Sequence, residues 1–493
     1  MTARPSLRRS ATFNFVGGIL PMLIAFVTTP IYLHHIGAAR YGVLAIVWMV
    51  QGYFGFLDLG LSSATSNRVA QLSGSTPSER ESVLWTALIT NASLGVAGGL
   101  FLYALLRMLI GQFDMGPALT AELMPALPCV ACLVPLSNLI SVFNGAMIGR
   151  ERFGTLNAVQ TPVTLMYQLV PLGAALLFGP SLHYLVYGTL VAGVAALTLN
   201  AVVVWRIFPL RFAGGPRRKL VGKLLSYGAW ISVTSLAQPL LETADRLMIG
   251  SALGPQAVTW YQVPFNLAGR VKLLPSVLTR TLFPRLSALD PASAAELSAN
   301  TIRGLAAALT PMIVFGVFLM QPFLTLWVGR EFVSHATSVG ETILLGVWIN
   351  SLASIVACHL QATGRPGVVA RFQAYEMLPF FALLWWAMHS FGVLGAALAW
   401  SARCLLDSVL LFGAARLGMR PVRLLAMPAL IIGVAYGATL LFTPLSWPWG
   451  TAWIATTIVA LAWTARSEPQ VFARLSRSFA SIRNITRREA QGG

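Results

Sequence analysis

Long apolar runs return along the whole chain, separated by gaps of under about twenty residues. A helix of about 20 apolar residues spans the hydrocarbon core of a bilayer, and lipid offers an open backbone no other hydrogen-bond partner. The runs fall at approximately 11–34, 42–66, 82–107, 122–148, 155–178, 183–206, 222–250, 256–284, 302–327, 340–362, 367–389, 392–415, 423–442 and 447–465. This pattern sets the fold class as all-α integral membrane, with about fourteen transmembrane helices. Composition leaves little room for another class. Only 10% of the 493 residues are charged, against about 25% in soluble domains, and so few charges cannot cover a water-facing surface.

The net charge of +18 would suit a nucleic-acid partner if it were gathered on one soluble face. It is spread over the gaps between apolar runs instead. Alternate gaps hold Arg68 and Arg80; Arg150 and Arg152; Arg206, Arg211, Arg217, Arg218, Lys219 and Lys223; Arg285 and Arg303; Arg365 and Arg371; and Arg416, Arg420 and Arg423. The other gaps hold only Arg40, Arg107 and Arg330. Basic residues mark the cytoplasmic side, so both termini are expected there, and nucleic acid is not an expected partner. The arm carrying Arg4, Arg8 and Arg9 runs into an apolar stretch too long for a signal peptide.

The chain also repeats. The stretch from Ile36-Gly37 to Arg68 lies without gaps on Leu253-Gly254 to Arg285, and a later match pairs Gly149-Arg150 with Gly364-Arg365 after a two-residue gap. The order of elements implies two six-helix bundles in parallel repeat plus two C-terminal helices. The expected divisions are 1–206 and 224–416 for the bundles, with a basic cytoplasmic linker at 207–223. Helices 13 and 14 take 417–466, and a basic tail takes 467–493. In that tail Val471, Leu475, Phe479 and Ile482 share one helical face among arginines. A surface-lying amphipathic helix fits this pattern, as does a disordered basic tail.

Ionisable groups inside a bilayer cost about 2.5–3.5 kcal/mol each at a helix centre and usually face a cavity or a partner. Arg403 and Asp407, spaced i,i+4, are expected to neutralise one another. Glu242, Asp245 and Arg246 form a second group, structural or gating. Glu376 also lies within a span. The eighth run carries a polar stripe of Gln262, Asn266 and Arg270, followed by Lys272 and Arg280, with no acid of its own. Cations grouped near mid-membrane suit an anion such as a phosphate; snorkelling or pairing with acids of other helices is the competing reading. Asn14, Gln51 and Asp58 mark a further polar lining, and Trp48, Tyr53, Trp260 and Tyr261 are aromatic groups on which sugar rings could rest. His359 reads as a packing residue. Cys129 and Cys132 have C-x-x-C spacing but no His or second Cys pair nearby, so they read as small packing residues rather than a metal site. No P-loop and no H-E-x-x-H is present. No catalytic residue, metal or cofactor is expected.

The stretch HHIGAARYGVLAIVWMVQGYFGFLDLGLSSATSNRVAQL resembles bacterial Wzx-type polysaccharide flippases, with their short IG-x-x-x-YG turn and FLDLGLSSA closure. TADRLMIGSALGP is similar to that family's entry to its second half. The family belongs to the multidrug/oligosaccharidyl-lipid/polysaccharide exporter superfamily. The resemblance implies a flippase of the bacterial inner membrane that carries undecaprenyl-diphosphate-linked oligosaccharide from the inner to the outer leaflet. It implies alternating access around a basic central cavity and no enzymatic activity. The diphosphate-binding role would fall to Arg270, Lys272 and Arg280, with Arg246 beside them. The implied partners are the lipid-linked oligosaccharide, membrane lipids, and a polysaccharide polymerase with its chain-length machinery. Two other readings compete. An ion-coupled multidrug exporter would favour acidic cavity residues, and a non-transporting scaffold of a synthesis complex would not need buried charge.

Overall fold

The computed structural model describes residues 7–54, 61–71, 77–112, 115–207, 218–415, 417 and 419–469. Side chains are described there except at 7–19, 50, 52–54, 61, 77, 80, 109, 112, 218–219, 223–243 and 419–423. The helices are α1 (Leu7–Phe54), α2 (Leu61–Gln71), α3 (Pro77–Leu109), α4 (Gly116–Leu123), α5 (Leu127–Gly149), α6 (Phe153–Phe178) and α7 (Leu182–Ile207). They continue with α8 (Arg218–Gly269), α9 (Leu273–Ala288), α10 (Pro291–Trp327), α11 (Arg330–Ala362), α12 (Pro366–Ala415), α13 (Met419–Leu441) and α14 (Trp447–Ser467). The all-α membrane class is thereby met. Among the described residues, nine stretches are long and apolar enough to cross a bilayer; the count of fourteen rests on the sequence pattern.

Three helices are too long for one crossing. α1, α8 and α12 run to 48, 52 and 50 residues, about 70–80 Å at 1.5 Å per residue, against a hydrocarbon core of about 30 Å. Each is interrupted by one glycine in a conformation that side chains disfavour. These are Gly37 (φ 78°, ψ 163°), Gly254 (φ 82°, ψ 168°) and Gly392 (φ 58°, ψ −138°). The break turns each continuous helix into two segments.

The same glycines carry the repeat. Nine described residues have positive φ: seven glycines, Glu151 and Leu445. Eight of them form four pairs. Gly37 and Gly254 stand 217 positions apart, and Gly116 and Gly329, Glu151 and Gly364, and Gly179 and Gly392 each stand 213 apart. Leu445, in the turn before α14, stands alone. The third pair corrects the register of the second sequence match. The amides of Glu151 and Arg152 bond to the carbonyls of Ile148 and Met147, as those of Gly364 and Arg365 bond to Gln361 and Leu360. Gly364 therefore matches Glu151, and Arg365 matches Arg152. Pairing the two Gly-Arg dipeptides misses the turn by two residues.

The chain packs as two compact units, Met1–Thr259 and Trp260–Gly493. In the first, small residues let helices approach closely. A Cβ on Gly95 would stand 2.5 Å from Pro135 of α5, and one on Gly145 would stand 2.4 Å from the Ser62 carbonyl of α2. One end of this unit is fastened by a polar clamp. Arg40 grips Glu122 through two bonds, Nε–Oε2 at 2.9 Å and Nη2–Oε1 at 2.6 Å. The amide of Leu182 donates to Glu122 Oε2 at 2.9 Å. The clamp joins three of the positive-φ turns, those at Gly37, Gly116 and Gly179. In the second unit the position matching Glu122 is His335, whose ring stacks on Trp260 at 4.0 Å; an ion pair is replaced by an aromatic stack. α13 and α14 dock through polar contacts. Thr342 bonds Tyr436 at 3.0 Å, Thr439 donates to Glu341 at 3.2 Å, and Thr464 donates to the Ala307 carbonyl at 2.8 Å.

Candidate functional site

The expected eighth span is not one helix. α8 ends at Gly269, a 3-10 turn takes Arg270–Lys272, and α9 begins at Leu273. The turn sends its two cations in different directions. Arg270 is exposed, as is Arg280 further along α9. Lys272 is half-buried, with Nζ 5.0 Å from the Trp400 ring centroid and 6.0 Å from that of Phe265. Those rings meet edge to face at 5.1 Å. A cation over aromatic faces is held electrostatically in place. Gln262 and Asn266 do share a face, and bond one another at 2.8 Å.

The chemistry that faces Lys272 comes from α12. The break at Gly392 makes α12 a hairpin. The turn is so tight that a Cβ on Gly395 would stand 1.9 Å from the Ala387 carbonyl. Glu376 lies 16 residues before the break and Asp407 lies 15 after it, so the fold sets them level. The two carboxylates come within hydrogen-bonding reach of each other, and Arg403 acts on both. The Arg403 guanidinium stands 5.2 Å from the Phe380 ring centroid. Glu376 is 2% exposed. Both its carboxylate oxygens, Asp407 Oδ1 and Arg403 Nε are shielded from solvent without a hydrogen-bond donor or acceptor in bonding geometry. The sulfur of buried Cys404 lies among Arg403, Lys272, Asp407 and Glu376. Lys272, Glu376, Arg403 and Asp407 thus form one cluster around Cys404.

Arg403 acts on Asp407 from the same helix, as the spacing expects, but does not act on it alone. The two residues do share a helix face, but they do not close an ion pair among the described contacts. Asp407 turns to Glu376 across the hairpin, and Arg403 lies on Phe380. The i,i+4 rule names which side chains can meet; it is silent on a competitor delivered by a turn.

Other expected residues fall elsewhere. Asp245 and Arg246 are buried and bond each other as neighbours, Nη1–Oδ1 at 3.1 Å and backbone amide to Oδ1 at 2.7 Å. Gln51 bonds the Tyr167 hydroxyl, next to a trio of Tyr32, Tyr41 and Trp48 with centroids 5.8–6.3 Å apart. Tyr261 is fully buried against Phe265. Asp58, the side chains of Asn14, Glu242 and Tyr53, and the amphipathic pattern of the tail lie outside the described residues. His359 takes the packing role, bonding Ser298 at 3.0 Å. Glu341 and Glu122 were missed by sequence reasoning. Glu341 sits in a run apolar enough to hide it, and its partner Thr439 is 98 residues away.

Residues 7–290 match the family model described as polysaccharide biosynthesis protein. The chain belongs to the polysaccharide biosynthesis protein family. The resemblance to Wzx-type flippases read from the N-terminal motif is borne out by that match. The Shigella flexneri protein named "Putative O-antigen transporter" is 24% identical over 412 residues, covering 82% of this chain and 97% of its own length. Among solved structures, the lipid II flippase MurJ in an inward closed conformation aligns with a TM-score of 0.69 at 13% identity, over 92% of this chain and 98% of that one. An inward-facing multidrug resistance transporter of the MATE family, described as of the MOP superfamily, aligns at 0.60 with 15% identity, over 83% and 98%. These structural likenesses show that the chain shares the fold of those two proteins. The relatives are described as transporters and flippases, not enzymes.

Proposed function

We propose that this chain is a flippase that moves undecaprenyl-diphosphate-linked oligosaccharide from the inner to the outer leaflet of the bacterial inner membrane. The observation that carries the reading is the Lys272–Arg403 pair of cations set among Phe265, Trp400 and Phe380. A diphosphate must be stripped of water to pass a bilayer. Cations held by aromatic faces replace that water with little reorganisation, because their positions are set before the anion arrives. Arg270 and Arg280, both exposed, extend the basic surface. Gln262 and Asn266 supply amides for hydroxyl groups of sugars. The lipid tail stays in hydrocarbon throughout.

The same reading carries the division by repeat into 1–206 and 224–416, cytoplasmic termini, and alternation between inward and outward access. It also carries the polymerase and its chain-length machinery as partners. The described clamp at Arg40 and Glu122, with the turns at Gly37, Gly116 and Gly179 that it joins, would then lie at the outer end of its helices, and the turn at Glu151 at the inner end.

The test is genetic and chemical. Deleting the gene should leave lipid-linked oligosaccharide accumulating in the inner leaflet, and complementation by Lys272→Ala or Arg403→Ala should fail while the protein still reaches the membrane. Normal polymer export in the deletion strain would overturn the flippase reading. Full rescue by both variants would remove the cations from it. The carboxylates of buried Glu376 and half-buried Asp407 favour a second reading, an ion-coupled multidrug exporter. That reading expects loss of drug resistance in the deletion strain with lipid-linked oligosaccharide unchanged.

A further inference from the structure

The Glu376–Asp407 contact poses a chemical problem that its surroundings do not solve. Ionised carboxylates are acceptors only, so two of them in hydrogen-bonding reach repel unless one carries a proton. Glu376 is 2% exposed, and neither of its oxygens has a donor among the described residues. The pair is built by the hairpin at Gly392, not by a chance rotamer, because the two residues stand level on antiparallel segments of α12.

The cation acting on the pair is Arg403, and Lys272 acts with it on the neighbouring Cys404. Cys404 itself is buried between them. From α11, which packs on α12, Glu341 and His359 are engaged with Thr439 and Ser298.

We infer that one proton sits between Glu376 and Asp407 and that its binding is linked to an anion at Lys272 and Arg403, so that anion and proton bind together. This rests on the proposed anion-binding role of those cations. With the anion absent, two positive charges favour releasing the proton. An anion on the cations cancels that effect, and the pair takes the proton up. Coupling of this kind is reciprocal: if the anion draws a proton in, lower pH must tighten the anion. The proton moves from bulk water to a carboxylate oxygen, and no other bond changes. The linkage has the opposite sign from a site where a proton and a cationic substrate compete for the same acids.

The experiment uses the full chain in lipid nanodiscs and, as probe, farnesyl-diphospho-N-acetylglucosamine, a diphosphate diester whose own charge is constant across neutral pH. Calorimetry in two buffers of different ionisation enthalpy counts the protons exchanged on binding. Wild-type protein should take up close to one proton per probe in part of the range between about pH 5.5 and 8.5. Its Kd should fall as pH falls, by at most about tenfold per unit for one proton. Glu376→Gln and Asp407→Asn together should remove the uptake and flatten the profile while the probe still binds, with folding checked by thermal unfolding. Wild-type binding without proton uptake would overturn the linkage and leave the anion site standing. Failure of wild-type protein to bind the probe, or full binding by Lys272→Ala/Arg403→Ala, would overturn the anion site and the linkage with it.

Discussion

The two glycine turns that begin the repeat, at Gly37 and Gly254, touch each other just beyond their breaks. The Thr259 hydroxyl donates to the Ala38 carbonyl at 2.6 Å. Gly42 lies so close to the second turn that a Cβ would stand 1.7 Å from the Pro255 carbonyl oxygen and 2.9 Å from Thr259 Oγ1. Ordinary contact begins near 3.4 Å, so Gly42→Ala must drive the turns apart by about 1.7 Å against a backbone atom that cannot rotate away. A 2.6 Å hydrogen bond stretched by that amount is broken. Losing it costs about 1 kcal/mol, and overpacking adds about 1–3 kcal/mol. The closed contact should therefore weaken by about 2–4 kcal/mol, about 30- to 700-fold in its equilibrium. Hydrogen exchange of the amides around 38–46 and 255–262 measures this directly as a faster opening of both segments. Thr259→Val removes the hydrogen bond alone and should cost only about 1 kcal/mol. The double variant should fall short of the sum, since Gly42→Ala has already broken that bond. Unchanged protection in Gly42→Ala, or strict additivity in the double variant, would refute the argument.

Further expectations follow from other contacts. Glu151 holds φ at 56° where its repeat mate is a glycine, so Glu151→Gly should raise thermal stability in detergent by about 0.5–1 kcal/mol, and Gly364→Ala should lower it by a similar amount. Arg40→Ala opens the clamp on Glu122; the pair is partly exposed, so a double-mutant cycle with Glu122→Gln should give a coupling of about 1 kcal/mol. Thr439→Val takes the donor from Glu341 and should loosen α13 by about 1–3 kcal/mol, read as lowered melting temperature and faster proteolysis near 419–441. Asp290 caps α10, and the Ser293 amide holds its carboxyl below the ordinary Asp range. A depressed pKa gives stability that is present above the unfolded value and lost as pH falls through the folded one. Exchange at the start of α10 should thus quicken below about pH 4, and not in Asp290→Asn.

What the sequence could reveal divides along a physical line. Backbone requirements were legible: only glycine tolerates the break at 37 and 254 cheaply, so Ile36-Gly37 and Leu253-Gly254 could be matched by eye and stand in nearly equal dihedral angles. Where a non-glycine residue, Glu151, takes the left-handed position, residue identity misleads, and the match slipped by two. Membrane crossing was legible because hydropathy is summed over a whole helix. Pairing of charges was not, because it depends on which helices meet. Arg403 and Asp407 satisfied a local rule, yet Asp407 also meets Glu376 from across a hairpin, and Glu341 found its partner in a helix outside the repeat.

That division also explains why the cations of the eighth run do not act alike. Sequence spacing placed Arg270, Lys272 and Arg280 on one segment and implied a single basic group. The 3-10 turn at 270–272 breaks the helical phase that spacing arguments assume. Only the cation turned toward α12 meets an aromatic wall and buried acids. An anion approaching this unit thus finds Arg270 and Arg280 in the open, each screened by surrounding water or lipid head groups, and Lys272 with Arg403 in a partly dehydrated setting. A charge acts more strongly where the dielectric is low. Substituting Lys272 or Arg403 should therefore weaken anion binding more than substituting Arg270 or Arg280, and should also change how that binding depends on pH. A loss of affinity shared equally by all four positions would mean that the basic surface acts as a diffuse field, and that the cluster around Cys404 serves packing alone.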